Sequence, residues 1–309
     1  MASLTVMRAG MLTTVQDLGR WGLQHLGVPV AGPMDWYSHR LANRRVGNAG
    51  DAAALEMTLL GPELIAEGDL LCAVAGASVD VIVGDDAMAA AGTFTVPHGK
   101  RLRFTFRRPG ARATLAVRGG IDVTPVLGSR ATSLISRVGP FGGRALAVGD
   151  VLHIGAAPIS GGAEGLPLPL ETGGARIRVM PGPHADRFTE ESLRLFSSCR
   201  YTVSPASNRM GFRLEGAVLA KAMSGQTEML SDATPIGSIQ VPPSGQPILL
   251  MADRQTTGGY PKIATVITAD LPVAGQLAPG DWIEFVPVTR PAALDALRHR
   301  VAALSRTQA

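Results

Sequence analysis

The chain of 309 residues is long enough for two domains, and its 46% apolar content excludes a largely disordered protein. Its formal net charge is +4 and no run of five like charges occurs, so we expect neither nucleic acid nor a membrane as a partner. Aromatic residues make up only 5%, while 37 glycines and 22 prolines are typical of many short strands joined by turns.

Two cysteines, Cys72 and Cys199, lie far apart in the sequence. This usage favours reduced thiols over a disulfide framework. The N-terminal residues contain no apolar signal core, and no stretch approaches the roughly 18 apolar residues of a membrane helix. We therefore predict a cytoplasmic protein.

In the first half of the chain, short segments alternate apolar and polar residues with the period of two that is typical of half-buried strands. This pattern predicts strands at residues 79–83, 102–107 and 113–117. One helix is predicted from Asp35 to about Arg45, because Asp35 is a good N-cap and Tyr37 and Leu41 fall on one helical face.

A change in composition at residues 156–175 separates the two halves of the chain. This stretch is rich in Gly and Pro and has no periodicity, which predicts a flexible linker. The predicted organisation is therefore a β-rich domain at residues 1–155, the linker, a barrel domain at residues 176–288, and a helix with a tail at residues 289–309.

The second half repeats the strand-rich pattern. Thr189 is the predicted N-cap of a short helix, and Thr289 with Pro291 opens a helix near the C-terminus. Further strands are predicted at residues 176–180, 237–241, 247–251 and 263–267.

Two segments of similar sequence, residues 146–154 and 277–285, each place a Gly-Asp turn before an apolar strand. Two related β-barrel domains would explain this echo, and so would the common occurrence of Gly-Asp turns. Taken with the strand pattern, it predicts a mainly β fold of two β-barrel-like domains with few short helices.

Several motifs with a known mechanism do not occur. The six histidines form no HExxH or HxH pair and no cluster with cysteine, which argues against a dedicated metal site. There is no Gly-x-Ser-x-Gly elbow and no dinucleotide-binding glycine fingerprint. The stretch ending in Lys100 and Arg101 lacks the spacing of a phosphate loop, so ATP would need another binding device.

Residues 253–262 concentrate polar chemistry between two apolar strands. Arg254 is suited to bidentate binding of a carboxylate or phosphate, and Lys262 offers a point charge. Gly258 and Gly259 would let the backbone approach a ligand closely. The same composition also suits a polar hairpin loop whose glycines supply positive φ angles.

Two further segments carry candidate residues. Asn208 offers a donor and an acceptor suited to an amide, and Arg209 offers several hydrogen-bond donors in one plane. The simpler interpretation of this segment is an Asn turn with an arginine on the surface. Asp17 and Arg20 lie in an unusual N-terminal segment, where they could instead pair with each other and be structural.

Seven motifs occur in an order that matches one family, from about Thr13 to Phe285. They are TVQDLGRWG, GPMDWYSHRLAN, LEMTLLGPEL, RGGID, SNRMGFRLEG, IGSIQVPPSGQPI and DRQTTGGYPKIATVI. The chain resembles the group of C-type subunits of 5-oxoprolinase, which is KipA-like and also named allophanate hydrolase subunit 2 or biotin-dependent carboxyltransferase-like. It is similar to the C-terminal half of the carboxyltransferase domain of urea amidolyase.

This resemblance implies a cyclophilin-like barrel in the C-terminal part and a heteromeric hydrolase that opens 5-oxoproline to glutamate with ATP. The expected partners are a B-type, KipI-like subunit and an A-type subunit, and the expected small molecules are an anionic amide and ATP with magnesium. No tightly bound structural metal is expected.

The resemblance also leads to role assignments. Arg254 and Lys262 are expected to stabilise the transferring phosphoryl group or the substrate carboxylate, and Asp253 or Asp270 to hold magnesium or act as a base. The remaining expected substrate-binding residues are Asn208, Arg209, Gln240, Gln255, Thr256, Thr257, Gly258, Gly259 and Tyr260.

Two other functions remain open. One is a subunit that handles urea or allophanate with biotin, although this chain has no carrier lysine motif. The other is a non-catalytic, KipA-like partner that binds a kinase inhibitor of the B-subunit type.

Overall fold

The computed structural model describes residues 2–88, 92–106, 109–157, 161–222 and 229–305. The chain divides into two compact units. The first contains Met1–Arg20, Ala31–Leu170 and the described residues from Val301 onward, and the second contains Trp21–Val30 and Glu171–Arg300. The sequence did not indicate that Trp21–Val30 belongs with the second unit.

The first unit consists mainly of strands, with one regular helix among its described residues. Its elements are β1 (Ser3–Arg8), β2 (Leu12–Gln16), α1 (Trp36–Arg45), β3 (Ala54–Thr58), β4 (Glu63–Glu67), β5 (Leu70–Gly76), β6 (Val79–Val83), β7 (Asp86–Met88), β8 (Thr93–Val96), β9 (Arg101–Phe106), β10 (Arg112–Val117), the short turn α2 (Pro140–Gly143) and β11 (Val151–His153).

These strands form two sheets around one apolar core. The six-stranded sheet has the order β11-β1-β4-β9-β6-β7, and the five-stranded sheet has the order β2-β3-β10-β5-β8. Leu4 and Leu64 of the first sheet and Leu55 and Leu115 of the second are fully buried in the same cluster. Burial of such side chains is the main stabilising contribution to this unit.

The predicted helix and strands of this unit are confirmed, except that residue 107 of the predicted strand 102–107 lies outside the described residues. Asp35 caps α1 by accepting a hydrogen bond from the backbone N–H of Ser38 at 2.8 Å, and Tyr37 and Leu41 are buried. Strand β9 alternates in burial as expected, but all six residues of β10 are buried. The reason is that α1 packs on β10 and β5, so β10 has no face in contact with water.

The second unit is also mainly β, and the predicted helix after Thr189 is confirmed. Its elements are β12 (Gly174–Pro181), α3 (Glu190–Ser198), β13 (Tyr201–Val203), β14 (Gly211–Glu215), β15 (Asp232–Ala233), β16 (Ser238–Gln240), β17 (Ile248–Leu250), β18 (Thr257–Gly258), β19 (Lys262–Val266), α4 (Leu271–Gly275), β20 (Trp282–Pro287) and α5 (Arg290–Ala303), with 3-10 turns at Gln24–Leu26 and Ala185–Arg187.

Seven of these strands form a closed barrel with the order β12-β19-β16-β17-β14-β13-β20. The parallel pairing of β12 with β20 closes it, and the other pairs are antiparallel. Phe196 of α3 stacks on Phe285 of β20 with ring centroids 4.6 Å apart. The mainly β prediction is thus confirmed, and β15 and β18 form a separate two-stranded ribbon.

The two Gly-Asp turns noticed in the sequence have the same local structure. Gly149 and Gly280 both adopt left-handed φ angles, of 90° and 88°, which glycine adopts without strain. Asp150 and Asp281 each accept a hydrogen bond from the backbone N–H three residues upstream, at 2.7 and 2.8 Å. The sequence echo therefore corresponds to a repeated turn that begins the last strand of each sheet system.

The predicted linker has no helix or strand at residues 161–170, and its residues 158–160 lie outside the described part of the chain. The described part is anchored within the first unit. Tyr37 donates a hydrogen bond from Oη to the carbonyl of Leu166 at 2.6 Å, and Leu168 is buried. Leu166 and Leu168 make these contacts, and the flexibility of the segment stays a prediction.

A membrane-spanning helix must be both long and apolar. No helix within the described ranges combines the two properties.

Candidate functional site

The polar segment 253–262 lies between two barrel strands, β17 and β19, as the sequence predicts. In its middle, β18 pairs with β15 in antiparallel register, so that Asp232 faces Gly258 and Ala233 faces Thr257. The backbone N–H of Thr234 extends this ribbon by donating to the carbonyl of Thr256 at 3.0 Å. The segment is therefore an ordered ribbon beside the barrel.

Arg254 is a buried cation without an ion-pair partner in the described part of the chain. Its side chain donates from Nε to the carbonyl of Thr234 at 2.7 Å and from Nη1 to the carbonyl of Met251 at 3.5 Å. The residue is only 6% exposed, and burial lowers the pKa of the guanidinium to about 10, a shift that the nearby Asp253 charge opposes. An anion that binds next to this buried guanidinium would stabilise its positive charge.

Arg254 lines an open cavity of about 320 Å³. One wall comes from the segment that contains Trp21, Gln24 and Val30, and the other comes from residues 233–236 and 254–256. All of these residues belong to the second unit. A cavity of this size suits a small molecule with one anionic group.

Lys262, the first residue of β19, is a second buried cation, with a side chain only 1% exposed. Its Nζ lies 3.0 Å from Oδ2 of Asp232, whose side chain is 56% exposed. The hydrogen bond from Lys262 lowers the pKa of the Asp232 carboxyl. The Lys262 backbone N–H also donates to Nδ1 of His184 at 3.2 Å, and burial, followed by the Lys262 charge, lowers the pKa of this imidazole.

The two glutamines named from the sequence meet beside the ribbon. Gln255 Nε2 donates to Gln240 Oε1 at 3.4 Å, and Gln240 Nε2 donates to the carbonyl of Tyr260 at 3.4 Å. A Cβ on Gly258 would lie 2.7 Å from Gln240 Nε2, so only glycine fits at this position without displacing the amide.

The remaining residues of the segment differ in their surroundings. Thr256 lines the cavity, whereas Thr257, Gly259 and Tyr260 are exposed to solvent. The exposed group would be accessible to a partner or to a ligand.

Arg209 and Asp253 bind each other. The distances are 3.0 Å from Nε to Oδ2 and 3.2 Å from Nη2 to Oδ1, and both side chains are buried. Asn208 is exposed, and its Oδ1 accepts a hydrogen bond from the Met210 backbone N–H at 2.8 Å, the geometry of an Asn turn. The segment that contains Asn208 and Arg209 thus contacts the segment 253–262 through this ion pair. The cavity described above is lined by Arg254 and its neighbours, and not by Asn208 or Arg209.

Asp270 is bound by Arg178. Its carboxylate accepts from Arg178 Nη2 at 2.7 Å and from Nε at 2.9 Å. It follows β19 at the end opposite Lys262, and the strand between them spans about 13 Å at 3.3 Å per residue. Asp270 does not line the described cavity, and its carboxylate is bound by Arg178.

Asp17 and Arg20 anchor one loop of the first unit. Asp17 accepts hydrogen bonds from Ser129 Oγ at 2.6 Å and from the Arg130 backbone N–H at 2.5 Å. Arg20 donates to the carbonyl of Ala131 at 2.6 Å. These contacts favour the structural interpretation of the pair.

Sequence reasoning missed Trp21, Thr234 and Asp232 as members of the site. Trp21 lies in the motif TVQDLGRWG and could have been noticed there. Thr234 and Asp232 carry no local signal, because their roles depend on pairing of β15 with a strand that follows much later in the chain.

Within the described ranges, no three His, Cys, Asp or Glu side chains lie close enough together to bind a metal ion. Magnesium commonly binds through only one or two carboxylates together with substrate phosphates, so such a cluster is not required for it.

Residues 26–287 match the family model of the carboxyltransferase domain, subdomain A and B, and the chain belongs to this family. The chain is 42% identical over 296 residues to the C-type subunit of 5-oxoprolinase from Escherichia coli, a match that covers 95% of this chain and 94% of that protein. It is 38% identical over 277 residues to the corresponding 5-oxoprolinase chain of Haemophilus influenzae, covering 89% and 88% of the two chains. The predicted resemblance to this group is confirmed.

The crystal structure of Kluyveromyces lactis urea carboxylase matches with a TM-score of 0.93 at 34% identity. This match covers 98% of the present chain but only 29% of the urea carboxylase chain. The shared part is thus one portion of a much longer protein.

Proposed function

We propose that this chain is the C-type subunit of an ATP-dependent 5-oxoprolinase and that its Arg254 cavity binds the anionic end of a reactant. The observation that carries the proposal is an arginine that is only 6% exposed, bonded to backbone carbonyls, and open to a cavity of about 320 Å³. Identity of 42% to a subunit of that name along almost the entire chain supports the same conclusion.

The chemistry explains why such a site needs buried cations. The lactam of 5-oxoproline is resonance-stabilised, and its nitrogen is a poor leaving group. Transfer of the γ-phosphoryl group of ATP to the lactam oxygen releases ADP and gives an imidate-like phosphate ester. Water then adds to that carbon, and loss of phosphate and cleavage of the C–N bond yield glutamate. Arg254, which is only 6% exposed, would stabilise charge on a phosphoryl oxygen or on the substrate carboxylate.

The neutral side chains beside Arg254 suit the amide part of the substrate. Gln255 lines the cavity and is oriented by its bond to Gln240, while Thr256 adds a hydroxyl to the same wall. An amide side chain can donate to a lactam oxygen or accept from a lactam N–H. Asp253 takes no step in this proposal, because Arg209 already binds both of its oxygens.

We expect the complete reaction to need partner subunits, a B-type and an A-type chain, in the cytoplasm. The cavity is open, and Trp21 on its wall is 61% exposed. A partner that covers this wall would exclude water from the reaction, which a phosphorylated intermediate requires.

The test is to co-express the chain with its neighbouring subunits and to measure ADP and glutamate formed from 5-oxoproline. Arg254→Gln should lower kcat/KM by about a hundredfold, since it removes one charged donor from the transition state. Arg194→Gln is the matched control, because Arg194 lies on the exposed side of α3 and pairs with Glu191. Retention of wild-type turnover by Arg254→Gln would remove Arg254 from the proposed mechanism.

The match to urea carboxylase supports a second candidate, a subunit that handles urea or allophanate. The same assay distinguishes the candidates when urea and allophanate replace 5-oxoproline. A stable complex that hydrolyses ATP with none of the three substrates would favour a non-catalytic, KipA-like binding role.

A further inference from the structure

Lys262 and Asp232 form an ion pair of unequal burial. The Lys262 side chain is 1% exposed and the Asp232 side chain is 56% exposed, with Nζ and Oδ2 3.0 Å apart. An ammonium removed from water is costly unless an anion compensates it, so Lys262 requires a carboxylate at this position. Asp232 gains less from the contact, because water already solvates most of its side chain.

The Asp232 carboxylate can leave Lys262 without disruption of the ribbon. Besides Lys262, its only side-chain hydrogen bond within the described residues is from the adjacent Ala233 backbone N–H to Oδ1, at 2.7 Å. The ribbon itself is held by the β15–β18 pairing and by the bond from Thr234 to Thr256. Rotation about the Cα–Cβ bond of Asp232 would therefore empty the space in front of Nζ while the backbone stays in place.

Two polar groups next to the Lys262 backbone, His184 and Gln240, are uncharged near pH 7. His184 accepts a hydrogen bond from the Lys262 backbone N–H through Nδ1, and its lowered pKa keeps the imidazole neutral near pH 7. Gln240 pairs with Lys262 in the barrel and presents a buried amide. Because Asp232 supplies the sole ion-pair partner of Lys262 in the described ranges, an exchange of anions there is governed by these two residues.

The ribbon strand that carries Asp232 also contributes to the wall of the proposed reactant cavity. Ala233 lines the cavity, and Asp232 precedes it on the same strand. Successive residues of a strand point to opposite faces, so Asp232 and the cavity wall occupy the two sides of β15. Gln255 connects them, since it lines the cavity and bonds to Gln240.

We propose that Lys262 is a carboxylate-binding subsite that Asp232 fills in the free protein and that a carboxylate of the ligand takes over on binding. Asp232 thus acts as an internal competitor of the same chemical class as the ligand. The identity of the ligand as 5-oxoproline rests on the proposed function. The subsite is inferred from the Lys262–Asp232 geometry alone.

The experiment is isothermal titration of the purified complex with 5-oxoproline for wild type and Asp232→Asn. Removal of the competing charge should tighten binding by about fivefold, the population factor of an exposed ion pair. Asp186→Asn is the matched control, because it removes the charge of another exposed carboxylate near His184 and should leave affinity unchanged. The lactam 2-pyrrolidinone, which lacks a carboxylate, should show no gain.

A second variant tests whether the gain passes through the lysine. In Asp232→Asn combined with Lys262→Met, the fivefold increase should disappear, and circular dichroism should report whether the barrel remains folded. Unchanged or weaker binding of 5-oxoproline by folded Asp232→Asn would overturn the proposal and leave the pair as a structural contact.

The proposed function and this subsite can fail separately. If the complex does not turn over 5-oxoproline, acetate replaces it as the probe of the subsite. Tighter acetate binding by Asp232→Asn than by Asp186→Asn then supports the subsite without the proposed activity. Equal acetate affinity in the two variants would overturn it.

Discussion

Arg209 and Asp253 form a bidentate ion pair with side chains 5% and 0% exposed, across 44 positions of sequence. The Asp253 backbone N–H also donates to the carbonyl of Arg209 at 2.8 Å. Asp253 directly precedes Arg254, and Arg209 lies in the turn before β14. The ion pair therefore holds the start of the Arg254 segment against that turn. The orientation of Arg254 toward the cavity therefore depends on two residues that do not line the cavity themselves.

Replacement of Asp253 by Asn should strongly destabilise the second unit. It removes the buried carboxylate that binds Arg209 in bidentate fashion, and the loss of one partner of a buried ion pair costs about 3–5 kcal/mol. Urea denaturation would measure the free energy of unfolding. Asp295→Asn is the control, because Asp295 pairs with Arg298 on the surface and such pairs contribute at most about 1 kcal/mol. Equal effects of the two variants would contradict the assignment.

Local features of the fold could be predicted from the sequence. Asp35 and Thr189 cap α1 and α3 through side-chain bonds to backbone N–H groups, and such caps are encoded within four residues. Strand β9 was visible because one of its faces is solvated, which leaves an alternating pattern. Motif order then identified the family, because a series of ordered motifs is far more specific than any single one.

The partners of the charged residues could not be predicted, because they are selected by the barrel and not by local sequence. Asp253 and Asp270 are suitable magnesium ligands by residue type, yet each is bound by an arginine, 44 and 92 positions away. The sequence assigned Arg254 and Lys262 the same expected role, stabilisation of an anionic group. The structure separates them, since Lys262 has a carboxylate partner and Arg254 has backbone carbonyls.

Gly258→Ala should perturb the amide pair of the site, whereas Gly259→Ala should not. The new Cβ at position 258 would lie 2.7 Å from Gln240 Nε2, and at position 259 its closest neighbour would be a carbonyl oxygen at 3.4 Å. We expect Gly258→Ala to lower the free energy of unfolding by about 1 kcal/mol and to reduce turnover of the complex. The neighbouring variant should stay within about 0.5 kcal/mol of wild type. Identical thermal melts and rates for both would refute the close contact.

The two thiols should differ sharply in reactivity. Burial raises the pKa of Cys72 to about 12, whereas Cys199 is partly exposed at the end of α3. Because the thiolate is the reactive form, Ellman's reagent at pH 8 should label one thiol of the folded chain quickly and the second only on unfolding. Cys199→Ser should abolish the fast phase. A fast phase that survives this substitution would show that Cys72 is accessible.

His39 should make the first unit sensitive to mild acid. It is fully buried on α1, its Nε2 lies 3.2 Å from Asn43 Nδ2, and burial lowers its pKa from 6.5 to about 4. Since the folded pKa lies below the unfolded value, the unfolded chain takes up the proton first as the pH falls. The stabilising contribution is therefore complete above about pH 6.5 and is lost as the pH approaches 4.

The decrease of the His39 pKa from 6.5 to about 4 corresponds to a loss of about 3 kcal/mol across this interval. Urea denaturation at several pH values between 7 and 4 would measure it, and His39→Gln should flatten the profile over that range. His184→Gln should keep most of the slope, because His184 is partly exposed and belongs to the second unit. If wild type and His39→Gln lost stability in parallel, the acid sensitivity would have to come from the carboxylates, and a neutral buried His39 would no longer explain it.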